Sequence, residues 1–216
     1  MTTEGHRWFS AFFALQERLT ERGRMLETRR RLLAGLSGDV LEIGAGTGAN
    51  FGHYPPEARV VATEPDPHML KRAQATLAQL DARNIDVRVA PAEHLPFADA
   101  SFDAAVTTLV LCSVGDAGQS LAELRRVLRP GGELRFLEHV RGAGPAGRAQ
   151  DVVQPLWGWC AAGCHLNRRT EDALRRAGFE ITSIKHGKMA PFLPMIRGVA
   201  KSVPPDAASA GVPAAE

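Results

Sequence analysis

The sequence has little of what marks secreted, membrane-spanning or nucleic-acid-binding proteins. Its three cysteines are too few for a disulfide framework and indicate a reducing compartment. The formal net charge of +2 is too small to indicate a nucleic-acid partner. No apolar run is long enough to span a bilayer, and no basic region precedes an apolar block near Met1, so neither a transmembrane helix nor a signal peptide is expected. These absences favour a cytoplasmic protein.

The remaining composition is that of a globular protein. Hydrophobic residues make up 44% of the chain and charged residues 23%, and 216 residues suffice for one domain with a sizeable core. We expect an N-terminal helical lid or cap over residues 1–37 and a main domain over residues 38–203. Residues 204–216 are small and proline-containing without periodicity, which predicts a disordered tail.

The N-terminal segment contains two amphipathic stretches. Residues 8–19 carry large aromatic and aliphatic side chains at helical spacing, which predicts a helix with a wide apolar face. Three interpretations stay open: packing on the domain, a lid over an apolar substrate, or peripheral contact with a membrane surface. A second helix is expected over 24–36, on which Arg29, Arg30 and Arg31 would form a solvated face.

Residues 39–50 carry the strongest local pattern. An apolar run ends at Ile43 and is followed by glycines at alternate positions, Gly44, Gly46 and Gly48. Glycine permits a tight turn and close approach of a ligand to the backbone. The pattern predicts a buried strand, a loop and a helix, which is the nucleotide-binding unit of open α/β sheets.

Strand and helix patterns alternate along the rest of the domain. Further strands are expected over 59–64, 86–90, 102–113, 133–140, 179–186 and 197–203, and helices over 67–80, 119–128 and 170–177. This alternation predicts a Rossmann-like, doubly wound α/β fold. Its seven-stranded sheet would be mostly parallel, with a C-terminal hairpin at one edge. Residues 141–149 are rich in glycine and alanine and indicate a flexible turn.

The glycine loop by itself is compatible with two cofactor classes. Gly44, Gly46 and Ala49 satisfy a dinucleotide fingerprint, and Glu64 lies at a suitable spacing for a ribose hydroxyl, so NAD stays open on these residues. Glu42 disfavours a pyrophosphate, because two negative charges would lie close together.

Four stretches in a fixed order carry a closer resemblance. They are LEIGAGTG at 41–48, AEHLPF at 92–97, SFD at 101–103 and LRPGG at 128–132. With these stretches the chain resembles the class I S-adenosylmethionine-dependent methyltransferases. The resemblance implies S-adenosylmethionine as cofactor. Gly44, Gly46 and Gly48 would pass beneath it, and Glu42 would help to hold its methionyl amino group.

The same resemblance assigns the adenosine contacts. Glu64 would accept hydrogen bonds from both ribose hydroxyls. Ala92 and Glu93 would border the adenine, although this chain has Pro91 where many relatives carry an aspartate. Leu109, in the fourth strand, would lie beside the methionine moiety.

A narrower resemblance rests on residues 48–56, 108–114, 138–140 and 154–170. There the chain looks like the methyltransferase-like family that includes the mammalian alkyl thiol methyltransferases. This implies methyl transfer to a small lipophilic thiol. The resemblance departs at the N-terminus, where those relatives carry a longer hydrophobic membrane anchor, so membrane residence does not carry over.

The acceptor side has fewer signals. His139, at the expected carboxyl end of the fifth strand, is the candidate catalytic residue, with a structural hydrogen-bonded histidine as the alternative; His165 is a second choice. Trp157 and Cys164 either line the acceptor pocket or fill the cap over the sheet. Cys160 and Cys164 are four residues apart without a second ligand pair, so no metal site is expected.

Other functions stay open at this stage. The chain could be a C-, N- or O-methyltransferase acting on a quinone, a lipid or a natural-product ring. From another class, it could bind the cofactor without catalysis. An NAD oxidoreductase is the least favoured interpretation, and the oligomeric state is not predicted.

Overall fold

The computed structural model describes residues 23–160, 163–190 and 193–203. Its strands are β1 (Gly38–Ile43), β2 (Ala58–Thr63), β3 (Ile85–Arg88), β4 (Phe102–Thr108), β5 (Leu128–His139), β6 (Phe179–Ala190) and β7 (Leu193–Ser202). Its helices are α1 (Arg24–Leu33), α2 (Pro67–Leu80), α3 (Ala117–Val127), α4 (Gly144–Cys160) and α5 (Thr170–Arg176), with a 3-10 turn at Phe51–His53. The aromatic segment 8–19 and the tail 204–216 lie outside the described residues.

The seven strands form one sheet in the order β3-β2-β1-β4-β5-β7-β6. Adjacent strands among β1 to β5 pair in parallel, whereas β7 is antiparallel to both of its neighbours. The predicted Rossmann-like, mostly parallel sheet with a C-terminal edge hairpin is therefore confirmed. The right-handed crossovers of such a sheet bring the carboxyl ends of β1 to β5 to one edge.

Helices cover both faces of the sheet and bury two large apolar clusters. Val40 and Leu41 are adjacent in β1, and their side chains belong to different clusters because neighbouring residues of a strand point to opposite faces. Helix α2 begins as predicted: Asp66 caps it by accepting from the backbone N–H groups of His68 and Met69, and Pro67 is its first residue.

Several predicted boundaries are wrong. Strand β4 ends at Thr108, five residues earlier than expected, because Leu109, with φ +61°, leaves the extended conformation and starts a turn. Residues 144–149 belong to helix α4 instead of a flexible turn, because Gly144 and Pro145 start a helix that the following alanines continue. Strand β5 begins at Leu128, five residues earlier than expected, and the Pro-Gly-Gly stretch forms an irregularity within its pairing with β4. Within the described ranges, no helix combines the length and hydropathy needed to cross a membrane.

Candidate active site

The glycine loop lies where the strand order changes direction. Strand β1 pairs with β2 on one side and with β4 on the other, and ligands of open α/β sheets bind outside this point. Gly44 has φ +62°, and a Cβ there would stand 2.6 Å from Val110 Cγ2 in the turn after β4. Gly48 has φ +85°, and a Cβ there would stand 2.6 Å from the Phe51 ring. Larger residues at these positions would therefore separate the loop from its neighbours.

Glu64 directly follows β2 and lies against the glycine loop. Its Oε2 accepts from the Gly46 N–H at 2.9 Å, and its Oε1 accepts from the Asp66 N–H at 2.9 Å. Burial raises the pKa of Glu64 to about 7, although both backbone hydrogen bonds oppose this rise. Each oxygen can accept further hydrogen bonds, so two ribose hydroxyls would stabilise this desolvated carboxylate. The residues therefore fit the adenosine end of S-adenosylmethionine.

Glu42 belongs to a buried hydrogen-bond network beneath the same loop. Asn50 Nδ2 donates to its Oε1 at 2.7 Å, and the Tyr54 hydroxyl donates to its Oε2 at 2.9 Å. Burial raises the pKa of Glu42 to about 7 and also raises that of Tyr54. Since both oxygens already hold protein donors, Glu42 fixes the loop; its contact with a methionyl amino group stays a prediction.

Arg29 of α1 completes this network, and the expectation that it lies on a solvated face is wrong. Its Nη1 donates to Asn50 Oδ1 at 2.9 Å and to Thr108 Oγ1 at 3.0 Å, and the residue is only 4% exposed. Arg30 and Arg31 are exposed as expected. Arg29 precedes the buried Leu32 and Leu33 by three and four residues, which places it on the apolar face of α1. That spacing could have indicated its burial.

The other predicted cofactor residues lie in the segments that follow β3 and β4. Ala92 is buried in the core. Glu93 accepts through Oε1 from the N–H groups of Gly115 at 2.8 Å and Asp116 at 3.3 Å, which ties its loop to the start of α3. Leu109 has φ +61°, an uncommon conformation for a residue with a side chain, which is often found at functional sites. Their contacts with adenine and methionine stay predictions.

A third buried carboxylate, Glu138, shapes the turn after β4. Its Oε1 accepts from the N–H groups of Val110 at 3.2 Å and Leu111 at 3.1 Å, and its Oε2 accepts from that of Cys112 at 3.3 Å. Burial raises the pKa of Glu138. This role of Glu138 was not predicted, although a carboxylate directly after Phe136 and Leu137 in an expected strand was a usable signal. Glu138 fixes the position of Cys112.

Cys112, His139 and Cys164 converge at this edge of the sheet. Cys112 lies in the turn after β4, His139 ends β5, and Cys164 lies between α4 and α5. The two sulfur atoms and a ring nitrogen of His139 all lie within 4.8 Å of one another. The hydrogen bond between the thiols lowers the pKa of Cys164 well below its usual range and raises that of Cys112, whose burial acts in the same direction.

Several polar atoms beside these thiols lack partners. Both ring nitrogens of His139 and the indole Nε1 of Trp157 are buried without a hydrogen-bond acceptor or donor among the described residues. His139 and Trp157 nevertheless both lie close enough to Cys164 to contribute to its lowered pKa. His165 differs from His139. Its ring Nδ1 lies 3.3 Å from Arg168 Nη2, and its backbone N–H donates to the Cys112 carbonyl. The structure thus brings together three residues that were predicted from the sequence, His139, Trp157 and Cys164. It places Cys112, which was not predicted, beside them.

A large open cavity of about 1000 Å³ lies between α3 and α5. Leu111, Arg168 and Arg169 are among the residues that line it. The glycine loop, Glu42 and Glu64 do not border it, so it is distinct from the predicted cofactor site.

Known proteins resemble this chain in both sequence and fold. The family model for the methyltransferase domain matches residues 41–136. Human thiol S-methyltransferase TMT1B is 42% identical over 172 residues, which cover 75% of this chain and 69% of that protein. Human thiol S-methyltransferase TMT1A is 37% identical over 193 residues, which cover 83% and 78%. A crystal structure of a methyltransferase from Thermotoga maritima superposes with a TM-score of 0.66 at 24% identity, covering 90% of this chain and 97% of that chain.

The crystal structure supports the fold, and the human relatives identify the family. The dinucleotide interpretation of the glycine loop is thereby set aside in favour of S-adenosylmethionine, the cofactor that the family implies. The chain belongs to the S-adenosylmethionine-dependent methyltransferases, in the family of the thiol S-methyltransferases TMT1A and TMT1B.

Proposed function

We propose that this enzyme transfers a methyl group from S-adenosylmethionine to the sulfur of a small lipophilic thiol. The observation that carries this proposal is the imidazole of His139. Both of its ring nitrogens are buried without a hydrogen-bond partner among the described residues, at the sheet edge that also holds the glycine loop, and both thiols lie within 4.8 Å of one of them. The names of the human relatives support the same acceptor class.

The cofactor half of the reaction would rest on Glu64 and the glycine loop. When bound, S-adenosylmethionine supplies a methyl group on a sulfonium sulfur, which passes to a nucleophile as the methyl–sulfur bond breaks. Glu64 would hold the ribose hydroxyls, and the backbone of Gly44, Gly46 and Gly48 would support the methionine end. The network around Glu42 keeps this loop rigid, so little ordering remains for the moment of binding.

The acceptor half requires alignment more than proton removal. A free thiol has a pKa of about 8.5, so roughly a few per cent is ionised at neutral pH without help. His139 would lie beside the acceptor sulfur and favour its ionised form. Alignment of the reacting atoms and exclusion of water would supply most of the rate enhancement.

Apolar side chains next to His139 favour a lipophilic acceptor. Leu32, Leu137 and Met195 form a buried cluster against which Leu109 packs. Met195 of β7 pairs directly with His139 of β5, so this cluster and the imidazole share one end of the sheet. A thiol with an aliphatic or aromatic body would bury apolar area here, at about 25 cal/mol for each Å² removed from water.

A panel of acceptors tests the proposal. The purified protein would receive methyl-labelled S-adenosylmethionine with one alkyl thiol, one phenol, one amine and one quinol of similar size. We expect labelled product from the thiol, with no comparable product from the other acceptors. Methylation confined to oxygen, nitrogen or carbon would contradict the thiol assignment, and cofactor binding without any product would indicate a non-catalytic binding protein.

A further inference from the structure

The Cys112–His139–Cys164 cluster has the composition of a metal site. Two thiols and an imidazole are the donors that Zn²⁺ and similar thiophilic cations prefer. Catalytic zinc sites have three protein ligands and leave the fourth position open, and Cys₂His is one of their known ligand sets. The three donors come from distant parts of the chain, so no spacing motif reveals them. From the sequence, Cys160 was the only other ligand that could be paired with Cys164, and for that reason no metal site was expected.

Each sulfur ligand is held by groups outside the cluster. Glu138 accepts from the Cys112 N–H at 3.3 Å, and the Cys112 carbonyl accepts from the His165 N–H at 2.6 Å. The Cys164 carbonyl accepts from Gln154 Nε2 at 3.0 Å, and Gln154 Oε1 in turn accepts from the Leu166 N–H at 2.7 Å. These backbone hydrogen bonds fix the main chain at both cysteines, which limits the positions that the two sulfur atoms can take.

The distances between the three donor atoms, and the unpaired ring nitrogens of His139, are compatible with a single bound ion. Zn–S and Zn–N bonds of about 2.0–2.3 Å place tetrahedral donors roughly 3.5–4 Å apart. The present limit of 4.8 Å therefore requires a contraction of about 1 Å or less. A cation would also provide a partner for one ring nitrogen of His139, which has none among the described residues. Two thiolates would balance the charge of a divalent ion, so no net charge would be buried.

We propose that Cys112, His139 and Cys164 bind a thiophilic divalent cation of the Zn²⁺ class, whose open fourth position receives the acceptor thiol. The inference rests on the proposed function and specifies how its acceptor is activated. On binding, the acceptor S–H bond breaks, its proton passes to solvent water, and the sulfur lone pair forms the bond to the ion. Coordination to a cation favours the thiolate form, so the nucleophile is present at neutral pH.

Metal binding by the full chain tests this inference directly. The chain would be stripped with a chelator, kept reduced and titrated with Zn²⁺ by calorimetry; Co²⁺ absorption would report thiolate ligation. We expect one ion per chain. Cys112→Ser, Cys164→Ser and His139→Ala should each weaken Zn²⁺ binding by more than the roughly 10- to 100-fold expected from loss of a supporting group. The matched control, Cys160→Ser, should retain the ion.

Binding and activity together separate this inference from the proposed function. Absence of stoichiometric Zn²⁺ binding, or equal binding by Cys112→Ser and Cys160→Ser, would overturn the metal site. Thiol methylation by the metal-free chain at an unchanged rate would overturn the role of the ion in activating the acceptor, and in that case the proposed function would stand. The protein could instead bind Zn²⁺ tightly through the cluster and yet methylate no thiol. That result would leave the ion site in place and refute the role of the ion in thiol activation. Circular dichroism of each variant would verify that the fold is intact.

Discussion

The two sides of the cleft satisfy their polar groups differently. On the cofactor side (Glu42, the glycine loop and Glu64), every carboxylate oxygen accepts a hydrogen bond from the protein. On the acceptor side (Cys112, His139, Trp157 and Cys164), the imidazole and the indole N–H have no partner among the described residues. A buried polar atom without a partner costs about 1–3 kcal/mol. On the cofactor side the protein alone thus satisfies the carboxylates, whereas we expect a ligand to complete the acceptor side.

His139→Ala should produce the largest effect and should affect the acceptor side only. We expect kcat/KM for a thiol to fall by about 100-fold or more, which is the lower range for loss of a group acting on the reacting atoms. The dissociation constant of S-adenosylmethionine should stay unchanged, because His139 does not contact the cofactor side. Steady-state kinetics, a pH–rate profile and calorimetry measure these quantities.

The control for this variant is His186→Ala, which removes a largely exposed histidine of β6. Its kinetics and pH profile should match those of the unmodified protein. Equal loss in both variants, or a parallel loss of cofactor affinity in His139→Ala, would show that the two sides of the cleft are not independent.

Glu64→Ala should produce the opposite pattern. Loss of one or two charge-assisted hydrogen bonds predicts a fall in S-adenosylmethionine affinity of roughly ten- to a hundredfold. Thiol KM at saturating cofactor should change little. Calorimetric titration with S-adenosylmethionine measures this affinity. The matched control is Glu57→Ala, which removes an exposed glutamate. Unchanged affinity in a folded Glu64→Ala variant would remove Glu64 from the cofactor site.

Arg29→Met tests whether the buried network stabilises the cofactor side. Asn50 and Thr108 would each lose a charged donor, which predicts a decrease of about 2 kcal/mol in the free energy of unfolding. Arg30→Met, on the exposed face of the same helix, should change it by no more than about 0.5 kcal/mol. Urea denaturation followed by circular dichroism compares the two. Similar values would mean that the position of Arg29 has no energetic consequence.

The smallest expected effect is a pH dependence of cofactor binding. With a pKa of about 7, the ionised fraction of Glu64 rises from roughly a tenth at pH 6 to roughly nine-tenths at pH 8. The carboxylate is the form that accepts from the ribose hydroxyls, so affinity should increase with pH by up to about tenfold over this interval. Glu64→Gln should flatten this rise; an equal rise in that variant would assign it to another group.

The cofactor side was predictable because its groups follow one another along the chain. Glu42, the three glycines and Glu64 lie at or just after the ends of two consecutive strands, which pair in parallel and so bring these residues together. Helix α2 was equally predictable, since Asp66 and Pro67 are local signals for a helix start. In these cases the physical cause acts between residues a few positions apart.

The acceptor side could be predicted only in part, because tertiary contacts between distant segments create it. His139, Trp157 and Cys164 were candidates from the sequence. Nothing in the sequence, however, indicated that Cys112 would lie beside Cys164. Arg29 and Glu138 were missed since a charged residue is usually exposed, and only the packing around each shows what balances its burial.

The reversed direction of β7 has a consequence for how acceptor preference can diverge. Since β7 runs antiparallel to β5, its first residues, Leu193 to Met195, lie beside His139 at the carboxyl edge of the sheet. The first residues of β7 therefore lie on the acceptor side, while β1 and β2 lie on the far side of β4. Insertions or substitutions in this hairpin can reshape acceptor selectivity over evolutionary time without altering the residues that recognise the methyl donor.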